Sequence, residues 1–314
     1  MSKRAVLFPG QGAQFVGMSA RLTERCPEVL PMFEAASELL GRDLLALTTE
    51  GPEEVLNSTA ISQPAIFVVS LAAVEAIRRA GGGAGLEVEA AAGLSLGEYS
   101  ALVFAGAMSF EDALRIVVAR GAYMQEACDR NPSGMTSLLG CDLETVRSIV
   151  EEASSAGTIG IANINAKNQI VVSGDLAALE RVAEIAPERG ARRVVPLKVA
   201  GAYHSPLMAS ASERLRPALQ EVRIVSPRMD FYPNVHGEPI SDPDVIRRGL
   251  MEQIESSVLW EPTLSAMVAR DVTSFLEVGP GRVIAGLVRQ VDRTLPVTSL
   301  LDQESVEEFV GSIG

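Results

Sequence analysis

The stretch AAGLSLGEYS, residues 91–100, places Ser95 between two glycines in the pattern G-x-S-x-G. A short apolar run precedes the pattern and a helix-like segment follows it, so Ser95 is predicted to lie in a sharp turn from a strand into a helix. Such a turn exposes the serine hydroxyl, and the N–H of Leu96 at the start of the helix is available to stabilise an oxyanion. Two interpretations remain open: Ser95 is a nucleophile, or it is a small capping residue in a turn.

Strand-like and helix-like segments alternate around this turn. We predict strands at 5–8 and 88–93, helices at 27–40 and 63–79, and a flexible connection at 81–85. Alternation of this kind favours an α/β fold with a mostly parallel sheet.

A different order of elements occupies the middle of the chain. The predicted elements there follow the order βαββαβ of the ferredoxin-like unit, with strands at 134–140, 158–164, 169–173 and 193–199 and helices at 142–156 and 175–189. We therefore predict a small ferredoxin-like subdomain at 128–200, inserted into a large α/β-hydrolase-like domain formed by 1–127 and 201–314. A cleft between two such units is a natural ligand site.

Charge and composition restrict the classes of partner. The formal net charge of −13 argues against nucleic acid, because an acidic surface repels phosphate backbones. The three cysteines show no metal-type spacing, and their odd number is typical of a reducing compartment. The longest apolar run, 65–74, is too short to span a bilayer, and the N-terminus lacks the apolar core of a signal peptide. We expect a cytoplasmic protein with no membrane partner, metal or organic cofactor.

His204, in VAGAYHSPLM at 199–208, is one of two histidines in the chain. It follows a predicted strand and precedes Ser-Pro, which places it in a loop. A neutral imidazole there can accept the proton of a serine nucleophile and later return it; the alternative is an ordinary hydrogen-bonded loop histidine. His236 lies in a turn-rich polar stretch and is predicted to be structural or solvated.

Arg120 lies in a predicted helix that begins after the capping residue Ser109. Helical spacing places it on one face with Ile116 and Tyr123. An arginine at the edge of an apolar face needs an anion, preferably a carboxylate. That carboxylate is either an internal Asp or Glu or belongs to a substrate, and the sequence alone leaves both open.

The segment FPGQGAQ at 8–14 directly follows the first predicted strand. It is not a dinucleotide-binding loop, because Phe15 stands where G-x-G-x-x-G requires its third glycine. The loop is better interpreted as the source of a second oxyanion donor, from the Gln11 amide or a backbone N–H.

Together these segments resemble the malonyl-CoA:acyl-carrier-protein transacylase family, the acyltransferases of fatty-acid and polyketide synthesis. The resemblance covers nearly the whole chain and rests on seven motifs in the same order. They are FPGQGAQ at 8–14, GLSLGEYSAL at 93–102, RGAYMQEA at 120–127, ANINAKNQIVVSG at 162–174, GAYHSPLM at 201–208, RRGLMEQIESSVLW at 247–260 and FLEVGPGRVIAGL at 275–287.

The resemblance implies a Ser-His dyad and a carboxylate clamp. Ser95 would be the nucleophile, His204 its base and Arg120 the residue that binds the malonyl carboxylate. Gln253 matches the glutamine whose backbone carbonyl orients the histidine in this family.

The remaining site residues also follow from the resemblance. Gln11 and the N–H of Leu96 would form the oxyanion hole, and Asn163 and Asn165 would line the cleft. The implied reaction is ping-pong transfer of malonyl from malonyl-CoA, through a malonyl-serine ester, to the phosphopantetheine thiol of an acyl carrier protein. We expect a monomer that supplies extender units for fatty-acid synthesis.

The sequence departs from the family pattern at three places. Leu94 stands where many members have His, and Lys167-Asn168 replaces a usual Pro-Gly. Tyr203 replaces the Phe of the malonyl-type motif; because Tyr is no smaller, we expect malonyl to be preferred over methylmalonyl.

An acidic carrier protein needs a local basic surface on this acidic chain. The candidate docking residues are Lys167, Arg181, Arg189, Arg192, Arg193 and Lys198. The alternative is that these are scattered solvated charges.

Other functions on the same fold remain open. They are a discrete acyltransferase of a polyketide synthase, an acyl-carrier-protein hydrolase, the transacylase subunit of a malonate decarboxylase, and a non-catalytic carrier-binding protein. A secreted serine esterase fits least well, because His204 has no recognisable acidic partner.

Overall fold

A five-stranded parallel sheet forms the centre of the larger part of the molecule. The computed structural model describes residues 3–81 and 87–313, so most of the predicted flexible connection at 81–85 lies outside the described residues. The strand order is β7-β2-β1-β8-β9, and every adjacent pair is parallel. The strands are β1 (Lys3–Phe8), β2 (Ala90–Gly93), β7 (Asp230–Tyr232), β8 (Val272–Val278) and β9 (Val297–Leu300). The predicted α/β class with a parallel sheet is confirmed.

A separate four-stranded antiparallel sheet is built from the middle of the chain. Its order is β4-β5-β3-β6, with antiparallel pairing throughout. Its strands are β3 (Ser133–Leu139), β4 (Ile159–Ala166), β5 (Gln169–Asp175) and β6 (Arg193–Pro196). Helices α8 (Leu143–Ala153) and α9 (Leu176–Ile185) alternate with these strands in the predicted βαββαβ order and cover the sheet with an apolar core of their own.

Fourteen α-helices lie in the described residues. They are α1 (Ala20–Arg25), α2 (Leu30–Leu40), α3 (Leu44–Thr49), α4 (Glu53–Leu56), α5 (Thr59–Ala80), α6 (Gly97–Phe104), α7 (Phe110–Arg130), α8 (Leu143–Ala153), α9 (Leu176–Ile185), α10 (Ala209–Glu221), α11 (Pro243–Gln253), α12 (Trp260–Ala269), α13 (Val283–Val291) and α14 (Gln303–Ile313). Short 3₁₀ helices occur at Pro27–Val29, Ser154–Ala156 and Pro206–Met208.

The parallel sheet is buried on both faces. Along β1, Val6 and Phe8 join the core that contains α5 and α7, whereas Ala5 and Leu7 join the core on the opposite face. This two-sided burial explains why residues 5–8 of β1 are a continuous apolar run without alternation.

Helix α5 crosses the first of these cores. It is the one helix of the described chain long and apolar enough to cross a membrane by length and composition, with a mean hydropathy of 1.8. The apolar run at 65–74, which by itself is too short to span a bilayer, lies within this longer helix. Because 89% of the apolar stretch of α5 is buried inside the protein, α5 has the environment of a core helix.

Several predicted elements are shorter in the structure, for identifiable reasons. Strand β2 begins at Ala90 rather than 88, opposite Asp230, where its neighbour β7 begins. Strand β6 ends at Pro196, which has no N–H to donate, although Leu197 N still donates to Met135 O of β3 at 2.9 Å. Helix α9 ends at Ile185, because Pro187 has no N–H with which to continue the helical hydrogen bonds.

We propose the division into 128–200 and the two flanking segments as the domain organisation. The boundary at 128 falls in the last turn of α7, which ends at Arg130, and the one at 200 falls in the loop after β6. The two units also touch: Ile164 N donates to Val258 O at 2.9 Å, which joins the edge strand β4 to the segment before α12.

Candidate active site

Ser95 lies in the turn between β2 and α6, at the carboxyl edge of the parallel sheet. Its φ is +52°, an unfavourable value for a residue with a side chain, so neighbouring groups must hold it there. Asn234, which follows β7, does this: its Oδ1 accepts from Ser95 N at 2.7 Å, and its Nδ2 donates to Gly93 O at 2.7 Å. The turn that bears the hydroxyl is therefore braced by the adjacent strand end.

Both glycines of the G-x-S-x-G pattern are required by close packing. A Cβ on Gly93 would lie 1.9 Å from the backbone of Gly97, and a Cβ on Gly97 would lie 2.3 Å from the carbonyl oxygen of Phe8. The pattern therefore encodes the tight approach of α6 to β1 and β2.

The Ser95 hydroxyl and the His204 imidazole form a hydrogen bond. Ser95 Oγ lies 2.8 Å from His204 Nε2, and His204 Nδ1 lies 2.8 Å from the backbone carbonyl oxygen of Gln253. Because a carbonyl only accepts, Nδ1 carries the proton and Nε2 accepts from the serine. This tautomer lets Nε2 receive the Ser95 proton during a nucleophilic attack.

A buried carboxylate lies behind this pair. Glu98 Oε2 accepts from Gln253 Nε2 at 2.7 Å and from Asn234 N at 3.0 Å. Burial raises the pKa of Glu98 to about 7, although both hydrogen bonds oppose that shift. Gln253 Nε2 also donates to Ser95 O at 2.9 Å. The carboxylate thus supports the groups that orient Ser95 and His204 without touching either side chain.

The reactivity of Ser95 is expected to persist at acidic pH. Burial and then the nearby Arg120 charge lower the pKa of His204 to about 4. We would measure the rate constant for inactivation of Ser95 by a neutral sulfonyl fluoride, because this reagent does not itself ionise across the pH range. Since the general base acts as the neutral imidazole, this rate constant should stay the same as the pH falls from 7 to 5 and decline only as the pH approaches 4.

The control for this pH profile is Glu98→Gln, which removes the nearby titratable carboxyl group and retains an acceptor oxygen. The decline of the inactivation rate constant at acidic pH should be the same in this variant as in the wild type. A decline centred near 6.5, the ordinary value for histidine, would contradict the buried, neutral His204 described above.

Arg120 extends from α7 to the same hydroxyl and is almost completely buried. Its Nη2 donates to Ser95 Oγ and to Gln253 Oε1, both at 3.0 Å, and its Nη1 donates to Gln63 Oε1 at 2.6 Å. Among the described residues no carboxylate lies within 4 Å of this guanidinium, although Glu98 influences it at longer range. The internal ion pair left open by the sequence is therefore absent from the described part of the chain.

The loop after β1 lies against the Ser95 turn. A Cβ on Gly10 would lie 2.4 Å from the carbonyl oxygen of Leu94. The Gln11 side chain is already engaged: its Nε2 donates to Tyr203 Oη at 3.1 Å and to Thr59 Oγ1 at 3.4 Å. Its backbone N–H, in contrast, has no hydrogen-bond partner in the described chain. Any oxyanion donor from Gln11 is thus the backbone N–H rather than the side-chain amide.

The N–H of Leu96 is likewise without a partner among residues 3–81 and 87–313. Ser95 N is not available in the same way, because it donates to Asn234. Leu96 N therefore has the free donor that the position after a G-x-S-x-G serine requires for an oxyanion hole.

These groups line a cleft of about 750 Å³ between the two sheets. Of the predicted site residues, Gln11, Ser95, Leu96, Arg120, Asn163, Asn165 and His204 all line it. Gln253 does not, because it is completely buried behind His204.

Tyr203 also lines the cleft, and a 2.5 Å hydrogen bond joins its hydroxyl to Thr59 Oγ1. His236 is exposed and lies outside the cleft.

Comparisons with known proteins identify the family. Residues 6–312 match the acyl transferase domain. The chain belongs to the acyl transferase family. A malonyl CoA-acyl carrier protein transacylase of Bacillus subtilis is 39% identical over 308 residues, which are 98% of this chain and 96% of that protein.

Solved structures agree with this assignment. The malonyl CoA-acyl carrier protein transacylase of Coxiella burnetii superposes with a TM-score of 0.93 at 34% identity, over 99% of this chain and 97% of that one. A malonyl-transacylase solved in complex with a type II polyketide acyl-carrier protein gives a TM-score of 0.92 at 35% identity, over 99% and 100% of the two chains.

Sequence reasoning missed three residues of this acyltransferase, namely Gln63, Glu98 and Asn234. Weak signals existed for each. Gln63 is a polar residue at the start of an apolar run, Glu98 is inside the serine motif, and Asn234 closely follows a strand that ends at the same sheet edge. Their contacts span 57 to 155 residues of sequence, which no local pattern encodes.

Candidate metal ligands of this acyltransferase can be searched for by side-chain type. Within the described residues, no group of three or more His, Cys, Asp or Glu side chains is arranged to hold a metal ion.

Proposed function

We propose that this acyltransferase transfers malonyl from malonyl-CoA to the phosphopantetheine thiol of an acyl carrier protein. One observation carries the proposal: Ser95 Oγ is within hydrogen-bond distance of both His204 Nε2 and Arg120 Nη2. A nucleophile beside a buried arginine that has no carboxylate partner among the described residues favours an acyl group that brings a carboxylate of its own. The names of the relatives support the same substrates.

The first half-reaction forms an ester on Ser95. The hydroxyl attacks the thioester carbonyl while His204 Nε2 takes its proton, and the Leu96 and Gln11 backbone N–H groups stabilise the oxyanion. Collapse of the tetrahedral intermediate breaks the carbon–sulfur bond. The proton on His204 then passes to the departing CoA sulfur, which leaves malonyl-Ser95 and neutral His204.

The second half-reaction reverses these roles. The carrier thiol gives its proton to His204 and attacks the ester carbonyl. The Ser95 Oγ–carbonyl bond breaks, and the proton returns to Oγ. No metal or organic cofactor takes part in this scheme, and the Gln253 carbonyl oxygen accepts from Nδ1 of His204 throughout, so that proton transfer occurs at Nε2.

Transfer can be distinguished from hydrolysis by following CoA release. With malonyl-CoA alone, release should stop after about one equivalent per enzyme, because the ester resists water. Addition of holo carrier protein should restore continuous turnover and produce malonyl-carrier. Continuous release without carrier would instead favour the acyl-hydrolase function.

A basic cavity beside the cleft supports a carrier docking site. This cavity has a volume of about 810 Å³, and its cationic lining residues are Lys167, Arg192, Arg193, Arg289 and Arg293. None of the five has an ion-pair partner within 4 Å among the described residues. Gln169 lines both this cavity and the catalytic cleft, so a carrier docked here would lie next to the entrance.

Only some of the docking residues suggested by the sequence line the basic cavity. Arg181 is paired with Glu152 and Glu184, and Arg189 is paired with Glu152. Lys198 lines the catalytic cleft instead. We therefore restrict the proposed dock to the five residues of the basic cavity.

Charge reversal in the basic cavity should weaken carrier binding selectively. The double variant Arg192→Glu/Arg193→Glu should raise the KM for holo carrier protein about 10-fold, most strongly at low salt, and leave the KM for malonyl-CoA within about twofold. The matched control is Arg115→Glu/Arg130→Glu, two exposed arginines of α7 outside the cavity. Equal increases in both KM values would contradict a carrier-specific dock, and an increase for malonyl-CoA alone would mean that the cavity binds CoA.

The cellular setting is part of the same proposal. We propose a monomer that acts in the cytoplasm, without nucleic-acid or membrane partners, and supplies extender units for fatty-acid synthesis. The polyketide complex among the structural relatives keeps a polyketide carrier as the second candidate. Comparing kcat/KM for a fatty-acid carrier and a polyketide carrier from the same cell would decide between them.

A further inference from the structure

Gln63 is buried in the first turns of α5, where that helix passes α7. Its Oε1 accepts from Arg120 Nη1 at 2.6 Å, and its Nε2 lies 3.4 Å from Met124 Sδ. The opposite amide orientation would place two N–H donors face to face at Arg120, so the contact fixes the oxygen toward the guanidinium. Gln63 also lines the catalytic cleft and is connected to Ser95 through Arg120, which donates a hydrogen bond to each.

All three protein acceptors of Arg120 are uncharged. They are the amide oxygens of Gln63 and Gln253 and the hydroxyl of Ser95. Its Nε has no hydrogen-bond partner in the described chain, although it is buried. Neutral acceptors hold the guanidinium in place without cancelling its charge, whereas a carboxylate at the same position would do both.

We propose that Gln63 is a positioning residue that determines acyl-group selectivity, because it orients Arg120 through a neutral oxygen and leaves its positive charge available to a carboxylated acyl group. This inference rests on the proposed malonyl transfer. It assigns selectivity to the charge balance between Gln63 and Arg120 rather than to Arg120 alone.

The decisive variant is Gln63→Glu, which is nearly isosteric and places a carboxylate oxygen where the amide oxygen lies. The resulting ion pair would satisfy Arg120 internally, and the new charge would repel a second carboxylate. We expect kcat/KM for malonyl-CoA to fall about 10²-fold, while kcat/KM for acetyl-CoA stays within about fivefold. The malonyl-to-acetyl ratio is the measurement, since a general loss of structure lowers both rates together.

Two further variants separate the effect of the new carboxylate from a change in the orientation of Arg120 and from the general effect of an added negative charge. Gln63→Met removes the acceptor that orients Arg120 but leaves Arg120 charged, so its malonyl-to-acetyl ratio should fall by about 3- to 10-fold, far less than in Gln63→Glu. Gln125→Glu adds the same charge at a half-buried glutamine of α7 that accepts from Thr59 N, donates to Asp129 and does not contact Arg120, and it should preserve the ratio. A ratio in Gln63→Glu equal to that of the wild type, or an equal collapse in Gln63→Met, would overturn the inference.

Equilibrium binding provides a readout that needs no turnover. On a Ser95→Ala background, Gln63→Glu should weaken malonyl-CoA binding and leave acetyl-CoA binding unchanged by calorimetry. If the wild type forms no malonyl-serine at all, the proposed function fails. If the wild type forms it and Gln63→Glu binds both thioesters as the parent does, only the inference about Gln63 fails.

Discussion

Replacing Ser95 with alanine is expected to lower kcat for malonyl transfer by about 10⁴-fold or more. The variant loses the only oxygen that lies within hydrogen-bond distance of both His204 and Arg120 in the described site. His204→Ala should cost nearly as much, and the double variant should cost no more than either single one, because the two residues act as a unit. Initial rates with malonyl-CoA and holo carrier protein measure all three.

Ser100→Ala is the matched control for this prediction. Ser100 lies on α6, just beyond the Ser95 turn, and its buried hydroxyl has no hydrogen-bond partner in the described structure. Its removal should leave kcat within about threefold of the wild type, because no hydrogen bond is lost. Substantial transfer by Ser95→Ala, or strict additivity with His204→Ala, would contradict the assignment of a Ser-His dyad.

The Arg120→Ala substitution should abolish the preference of the enzyme for malonyl-CoA over acetyl-CoA. Loss of a buried guanidinium that meets a carboxylate typically costs about 3–5 kcal/mol, which corresponds to a decrease in kcat/KM for malonyl-CoA of about 140- to 4,000-fold. Acetyl-CoA makes no such contact, so its kcat/KM should change by less than about fivefold. Competition between the two thioesters in one reaction measures the ratio directly.

Arg120→Lys should not restore the malonyl preference. A single ammonium group cannot reproduce the divergent contacts that Arg120 makes with Gln63, Gln253 and Ser95. Arg115→Ala, on the exposed face of the same helix, is the control and should leave the ratio unchanged. Equal losses for malonyl and acetyl in Arg120→Ala would mean that Arg120 maintains the site structurally and does not bind the substrate carboxylate.

The fold was largely predictable because its signals are local. The G-x-S-x-G turn requires glycine on both sides of Ser95, and the close contacts of Gly93 and Gly97 explain why. The alternation of strands and helices likewise gave the parallel sheet and the βαββαβ order. Element ends were less predictable, since Ala90 begins β2 only where β7 is present to pair with it.

The polar support of the site could not be predicted in the same way. Glu98 is inside the most conspicuous motif of the chain, yet its partners Asn234 and Gln253 lie more than 130 residues away. The side chain of Gln11 illustrates the converse case, because its amide looks available in sequence but is engaged by Tyr203 and Thr59 in the fold. Hydrogen-bond partners of this kind are fixed by tertiary packing, and only the structure reveals them.

The most direct test of the account is the covalent state of Ser95. We would incubate the enzyme briefly with malonyl-CoA, measure its intact mass and locate the adduct by peptide mapping, with Ser95→Ala alongside. We expect one malonyl group on the peptide that contains Ser95, none on Ser95→Ala, and loss of the group when holo carrier protein is added. A malonyl group on a different residue, or CoA release by Ser95→Ala at the wild-type rate, would contradict the central role given to Ser95.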